Sequence, residues 1–267
     1  MNVFEAIVLG AVQGVTEFLP ISSTAHLVLV PWFLGWPPHG LTFDIALHVG
    51  TLVALLIYFR RDWLYLAKTG IGYVTGKHSD PLILYVIAAS VPAGIAGFLL
   101  EHVVETRLRD PRIIAVTLIS LALVLALAEK VGSKKKDLDR LSFPDAMTIG
   151  FAQAIALIPG VSRSGVTMTA ALFRGVRREA AARFSFYLST PVIGGAVLKK
   201  LVDVARTGLP PGEAPSFITG IVVSGVVGYL SIKILLGYLQ KHNMMVFVYY
   251  RIALGIVVYL AFWSGFR

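Results

Sequence analysis

Six long apolar runs limit what this 267-residue chain can fold into. A transmembrane helix needs about 20 mostly apolar residues to cross the hydrocarbon core of a bilayer. The composition agrees, because 56% of the residues are hydrophobic and only 15% are charged, which is far from the usual mixture of globular domains. The sequence therefore predicts an all-α, polytopic integral membrane protein. We place its six transmembrane helices at residues 43–60, 80–101, 111–129, 182–200, 215–238 and 245–264.

Two further apolar stretches are too long for one span and too interrupted for two. Residues 2–36 and 143–173 each break at a proline that is followed by a polar cluster, FLPISSTAH in the first and LIPGVSRSGVTMT in the second. We predict that each is a re-entrant hairpin of two short helices. Non-helical backbone at membrane depth is tolerated only where it is buried in protein or lines a wet cavity, so both tips should meet inside the molecule.

The two broken stretches resemble each other, which suggests an internal repeat. Three identities align when one residue is skipped: Gly10 with Gly150, Gln13 with Gln153, and Pro20 with Pro159. We predict one membrane domain, 1–267, built from halves at about 1–130 and 140–267. Three spans per half is an odd number, so the halves should have inverted topology. Chance similarity is the alternative for so few identities.

The net charge of +9 comes from basic residues in the loops at the ends of apolar runs, so it does not indicate a nucleic-acid-binding surface. Lys and Arg are dense after the first and third spans and after the second hairpin, and absent before residue 60. By the positive-inside tendency both termini should be outside. The first hairpin then enters from outside and the second from the cytoplasm. The N-terminal MNVFEAIVLGAVQG lacks the basic start of a signal peptide, so we expect it to belong to the fold.

The second tip, VSRSGVT, has the groups of an anion site. Free backbone N–H groups at a helix start, the hydroxyls of Ser162 and Ser164, and the guanidinium of Arg163 can all grip phosphate oxygens. An arginine this deep in an apolar stretch is costly unless it is paired, so a functional role is the default interpretation. The alternative is a structural ion pair with a glutamate.

The first tip brings a serine near a histidine. Ser23 and His26 are three residues apart at a helix start and should share one face. Such a pair is a nucleophile with its base, or a phosphate donor beside a general acid. The alternative is ordinary helix capping, for which Ser22 is the candidate.

Glu17 has several possible roles. It lies four residues after Gln13 on the preceding helix, where its carboxylate could hold a divalent cation, orient His26 or neutralise Arg163. With no cysteine in the chain, a thiolate metal site and a cysteine nucleophile are excluded.

Asp44 and His48 are predicted to pair with each other, or else to extend the cavity wall. The remaining histidines are predicted to be solvated loop residues: His39, His78, His102 and His242.

These motifs resemble those of a known family. The sequence carries Gln13, then Glu17, then FLPISSTAH, and much later PGVSRSGVT, together with FDIALHVGTL and RGVRREAAARFSF. The whole chain is similar to the bacterial undecaprenyl-diphosphate phosphatases, also called the bacitracin resistance protein family. Some members carry glutamate where this chain has Gln13, so this chain has one carboxylate in the motif where those members have two.

The resemblance implies a hydrolase of the bacterial cytoplasmic membrane that converts undecaprenyl diphosphate to the monophosphate, the lipid carrier of cell-wall synthesis. It implies a site open to the outer face and assisted by Mg²⁺ or Ca²⁺, with Gln13 and Glu17 as the metal-binding positions. The residues that it implies for catalysis are Glu17, Ser23, His26 and Arg163. Those implied for phosphate binding are Ser162, Arg163, Ser164 and Thr167, and we expect Ser22 to bind phosphate with them.

The expected mechanism has Ser23 attack a phosphate clamped by Arg163, with His26 moving the proton; direct attack by water is the alternative.

The partners are the polyprenyl diphosphate and the bilayer, with no nucleic acid and with a homodimer left open. The rival function is a secondary transporter or flippase of a polyprenyl phosphate or another anion, since such carriers also use inverted repeats and broken helices. A phosphatase of the phosphatidic-acid type is disfavoured, because no histidine follows Ser162 and Arg163 at the required spacing.

Overall fold

The computed structural model of the chain describes residues 1–77, 80–208 and 212–266, without the side chains of 101–107 and 207. Within these ranges the chain forms eleven α-helices and a short 3-10 helix at Leu138–Arg140. The α-helices are α1 Val3–Thr16, α2 Ser23–Leu34, α3 Leu41–Tyr58, α4 Arg60–Val74, α5 Leu82–Arg107, α6 Pro111–Val131, α7 Phe143–Ile155, α8 Arg163–Phe173, α9 Arg178–Thr207, α10 Ala214–Leu239 and α11 Met245–Trp263.

Five helices are long and apolar enough to cross a membrane, namely α3, α5, α6, α10 and α11. They match five of the six predicted spans, and the chain is a multi-pass membrane protein of all-α class. The sixth predicted span, 182–200, lies within the 30-residue α9, which is long enough but too polar to meet the same criterion. The reason is its place in the molecule: Ser185 and Ser189 are fully buried against neighbouring helices, so this helix needs fewer apolar residues than one facing lipid.

The two interrupted stretches each form a pair of short helices, as the prolines predict. α1, α2, α7 and α8 have 14, 12, 13 and 11 residues, too few to cross a bilayer. The N-cap of each second helix is a serine in the left-handed region, Ser22 at φ 75° before α2 and Ser162 at φ 70° before α8. The Ser22 hydroxyl accepts from the Ala25 N–H and the Ser162 hydroxyl from the Gly165 N–H. The capping alternative is therefore correct for Ser22, and Ser162, predicted only as a phosphate-binding residue, caps its helix as well.

Each first hairpin helix packs against a long helix from the other half of the chain, α1 on α10 and α7 on α5. Glycines make both approaches close. A Cβ added at Gly10 would lie 2.9 Å from the Gly220 carbonyl oxygen, and one at Gly150 would lie 2.2 Å from that of Ala89. The packing of the two hairpins is thus reciprocal.

Ion pairs stabilise the end of the molecule where α6 connects to α7. Asp145, in the first turn of α7, binds Lys136 at 2.8 Å and Arg174 at 2.6 Å. Burial alone raises the pKa of Asp145, but these hydrogen bonds outweigh it and hold the pKa well below its usual range. Glu129 binds Arg178 in the same region. Some of the basic residues that indicated membrane orientation thus also fasten the second hairpin.

Candidate active site

The two helix breaks are in direct contact. Ser164, in the first turn of α8, donates its hydroxyl hydrogen to the Leu19 carbonyl at 2.9 Å. Arg163 donates from Nη2 to Glu17 Oε1 at 2.6 Å. The polar clusters predicted from two distant parts of the sequence therefore form one site.

Glu17 is the centre of this site. It is the C-cap of α1 and is 6% exposed. Its Oε2 accepts from the Ser23 hydroxyl at 2.6 Å and from Gln13 Nε2 at 3.1 Å, and lies 3.4 Å from His48 Nε2. With Arg163 on Oε1, both carboxylate oxygens have partners, and of the three roles left open for Glu17 the pairing with Arg163 is the one that the structure shows.

Ser23 and His26 do not hydrogen-bond to each other. His26 Nδ1 lies 2.6 Å from the Ser22 carbonyl oxygen, and its Nε2 lies 2.7 Å from the Tyr250 hydroxyl. Both ring nitrogens of His26 are used by these contacts, and the Ser23 hydroxyl donates to Glu17 at the end of α1. Spacing correctly placed Ser23 and His26 on one helix turn, but the hydroxyl is paired with Glu17 instead.

Asp44 and His48 are not paired through their side chains, so that prediction is wrong. The Asp44 carboxylate binds His39 Nε2 at 2.7 Å and Arg109, while His48 Nδ1 contacts the Asp44 carbonyl at 2.7 Å. His48 lines the cavity instead, as the alternative proposed. Sequence reasoning missed its approach to Glu17, for which the only signal was the place of His48 within an apolar run.

The other histidine predictions have mixed outcomes. His39 is 8% exposed at its side chain and ion-paired, not solvated as predicted. His242 is exposed, as predicted. His102 lies in α5 rather than in a loop, and its side chain is outside the description. His78 lies outside the described residues.

A cavity of about 140 Å³ opens where the two breaks meet. Its predicted lining residues are Glu17, Ser22, Ser23, Ser162 and Arg163, to which the structure adds Thr16, Thr24, His48, Ala93, Gln153, Ala156, Leu157, Val192 and Ile193. A second cavity, of about 300 Å³, lies beside α1, α3 and α10. The carboxylates of Glu5 and Glu213 line it, which makes it unsuitable for a diphosphate.

Four predicted residues lie beside the cavity rather than on its wall: Gln13, His26, Ser164 and Thr167. The Thr167 hydroxyl donates to the Arg163 carbonyl at 2.8 Å and contacts Ser185 Oγ at 2.7 Å. Thr167 therefore supports the helix turn that carries Arg163.

Sequence reasoning missed a second buried arginine. Arg251, on α11, is 1% exposed. It donates to carbonyl oxygens of both breaks and of α6: those of Pro20, Gly160, Val161, Leu118 and Thr117. The rule that singled out Arg163, a charge inside an apolar run, would also have found Arg251.

The residues present do not form a protein-held site for the predicted divalent cation. No group of three or more His, Asp or Glu side chains suited to a metal occurs in the described part of the chain. Gln13 Oε1 is buried without a partner, but Glu17 already binds a guanidinium, a hydroxyl and an amide. One engaged carboxylate and one amide oxygen fall short of the six or more oxygen ligands that Mg²⁺ or Ca²⁺ takes.

The fold and site together define a polytopic membrane protein with a buried, mixed-charge cavity suited to a phosphate group. The family model described as "Bacitracin resistance protein BacA" matches residues 6–257, and the chain belongs to that family. It is 51% identical over 264 residues to a protein of Geobacter metallireducens named undecaprenyl-diphosphatase, covering 97% of this chain and 98% of that one. Proteins of the same name from Desulforudis audaxviator and Moorella thermoacetica are 51% and 49% identical, with 97% or more of each chain covered.

Proposed function

We infer that this chain is a membrane phosphatase that hydrolyses undecaprenyl diphosphate to undecaprenyl phosphate and inorganic phosphate, returning the lipid carrier to cell-wall synthesis. The observation that carries this conclusion is the group of Arg163, Glu17 and Ser23 at one cavity, in a chain half identical to proteins named for that activity. Phosphoryl transfer depends mainly on positioning and charge neutralisation, which this group supplies.

In the proposed mechanism the terminal phosphate enters beside Arg163 and the N-terminus of α8. The anion competes with Glu17 for the guanidinium, which frees the carboxylate. Glu17 then accepts the proton of Ser23, whose hydroxyl is already 2.6 Å away. This role replaces His26 as the base, because both His26 ring nitrogens are engaged elsewhere. His26 instead anchors the first break to α11.

The bonds change in two steps. The Ser23 oxygen bonds to the terminal phosphorus while the anhydride P–O bond breaks, and undecaprenyl phosphate leaves with the proton that Glu17 took from Ser23. Water then releases inorganic phosphate from the phosphoserine. Direct attack of water on the diphosphate is the alternative. A phosphoserine trapped at Ser23 supports the first route, and full turnover by Ser23→Ala contradicts it.

We propose that a divalent cation, Mg²⁺ or Ca²⁺, arrives with the substrate, whose phosphate oxygens supply the ligands that the protein lacks. Titration of the cation at several lipid concentrations tests this. The cation requirement should follow the lipid concentration; a requirement that follows the protein concentration contradicts the proposal.

The proposed membrane arrangement has α9 as a sixth span, two re-entrant hairpins and inverted halves in the cytoplasmic membrane. Both termini lie outside and the cavity opens to the outer face. Reciprocal packing of α1 on α10 and α7 on α5 supports it. Because the chain has no cysteine, single cysteines can be introduced and labelled in whole cells. Labelling from outside near residue 40 but not in the 133–140 connection is expected; the reverse pattern overturns the orientation.

The function is tested with purified protein in detergent. Release of inorganic phosphate from undecaprenyl diphosphate is expected from the wild type and lost in Arg163→Ala. Absence of release, combined with movement of a polyprenyl phosphate across vesicles, would favour the transporter instead.

A further inference from the structure

Gln153 is a buried side chain whose polar atoms form no hydrogen bond within the described structure. It lies in the last turn of α7, is 2% exposed and lines the cavity between the two breaks. Neither its Oε1 nor its Nε2 has a hydrogen-bond partner. Among the described residues it is the only buried side chain with two unpaired polar atoms. Burying an amide without partners costs free energy, so its retention calls for a ligand.

The other polar side chains of the cavity have partners within the protein. Ser23 and Arg163 bind Glu17, while Ser22 and Ser162 cap their helices. The remaining three are also bonded: Thr16, Thr24 and His48. Gln153 is therefore the one lining group whose hydrogen-bonding capacity is entirely free for a molecule in the cavity.

Gln13, at the aligned position of the first hairpin, shows that the surroundings determine whether a buried glutamine has free hydrogen-bonding groups. Gln13 is equally buried, but its Nε2 donates to Glu17 and it does not line the cavity. Nothing in the described structure accepts the N–H of Gln153. The same residue type therefore supports the site in one hairpin and faces the cavity in the other.

The chemistry of an amide indicates what it binds. Its NH2 donates and its oxygen accepts. A phosphate group with ionised oxygens satisfies only the NH2, so the amide oxygen needs a donor, and water is the donor that phosphate hydrolysis consumes. We propose that Gln153 positions the attacking water, with Oε1 accepting from the water and Nε2 donating to a phosphoryl oxygen. A glutamine performs this role in GTPases.

The proposal rests on the proposed phosphatase function and adds a role in its hydrolytic step. The water oxygen bonds to phosphorus while the bond from phosphorus to the Ser23 oxygen breaks. Glu17, 2.6 Å from that oxygen, takes a proton from the water and returns it to Ser23. In the direct route the same water attacks the diphosphate, and the proton goes to the departing lipid phosphate.

The test uses Gln153→Met in the full-length purified protein. Methionine has a similar length and no amide, so it removes both hydrogen bonds without opening a hole. Gln240→Met is the matched control, because Gln240 is an exposed residue at the end of α10. Phosphate release from undecaprenyl diphosphate and thermal unfolding are measured for all three proteins.

We expect kcat of Gln153→Met to fall on the order of 100-fold, the loss typical of a misplaced reacting group, with KM little changed. Its Tm should be equal to or above that of the wild type, since an unpaired buried amide has been removed. Phosphoserine should accumulate in the variant if Ser23 is the nucleophile. The control should match the wild type.

Two results overturn the inference: an unchanged kcat, whether or not KM is raised, or a clear fall in Tm that accounts for lost activity. If the wild type itself releases no phosphate, the proposed function fails first, so the two failures are distinguishable.

Discussion

At the residue scale, two buried arginines have different tasks. Arg163 has a carboxylate partner and reaches the cavity, with 14% of its side chain exposed. Arg251 is fully buried and binds only carbonyl oxygens among the described residues. A guanidinium with a carboxylate that an anion can displace is suited to substrate binding, whereas one surrounded by fixed carbonyls is suited to holding backbone.

Replacement of Arg163 by lysine should reduce activity although the charge is kept. The guanidinium donates to Glu17 and to the Ser185 carbonyl at once, and an ammonium cannot reproduce that planar fork. We expect kcat/KM to fall on the order of 100-fold, as for loss of one positioned donor. Arg112→Lys is the control, because that arginine is 61% exposed, does not line the cavity, and contacts Asp110 and the Phe262 ring instead. A similar loss in both variants would count against the assignment.

At the element scale, the decisive feature is how each hairpin breaks. Proline and the polar cluster predicted both breaks and the short helices around them. They did not predict the left-handed serines, because side-chain pattern reports which face is apolar and not the backbone angles of a turn. That is why the pairing of Ser23 with Glu17 could not be read from helical spacing, whereas the meeting of the two tips could.

The caps can be tested by substituting Ser162. Alanine loses the hydroxyl that accepts from Gly165 and remains strained at φ 70°, whereas glycine loses the hydroxyl but adopts this conformation freely. Loss of a serine cap to alanine costs about 0.5–2 kcal/mol and to glycine only a few tenths. We expect Ser162→Ala to lower Tm more than Ser162→Gly. Equal effects, or the reverse order, would show that the backbone angle at residue 162 does not matter for stability, and an unchanged Tm in both variants would show the same for the cap.

At the scale of the whole molecule, the site exists only because distant parts of the chain meet. α11 supplies Arg251 to the Pro20 carbonyl of one break and to the Gly160 and Val161 carbonyls of the other. Sequence analysis found five of the spans and both hairpins, because apolar length is a local property. The place of His48 was missed because its partner Glu17 lies at the end of another helix. Arg251 was missed although its position inside an apolar run, the criterion that singled out Arg163, would have found it.

Replacement of Arg251 by methionine should destabilise the whole protein. Each buried carbonyl left without a donor costs about 1–3 kcal/mol, so a total loss above about 3 kcal/mol is expected. Thermal unfolding in detergent should show a Tm at least several degrees lower. Lys233→Met, an exposed loss of charge on α10, is the control and should have little effect. An unchanged Tm for Arg251→Met would mean that this arginine does not hold the breaks.

The central claim is that the two hairpins build one catalytic site, and a double-mutant cycle between Glu17 and Arg163 tests it most directly. kcat/KM for undecaprenyl diphosphate is measured for the wild type, Glu17→Gln, Arg163→Gln and the double variant. Residues that act as a unit are strongly non-additive. The double variant should therefore lose little more than the worse single variant. Losses that multiply independently would contradict a site shared by the two hairpins.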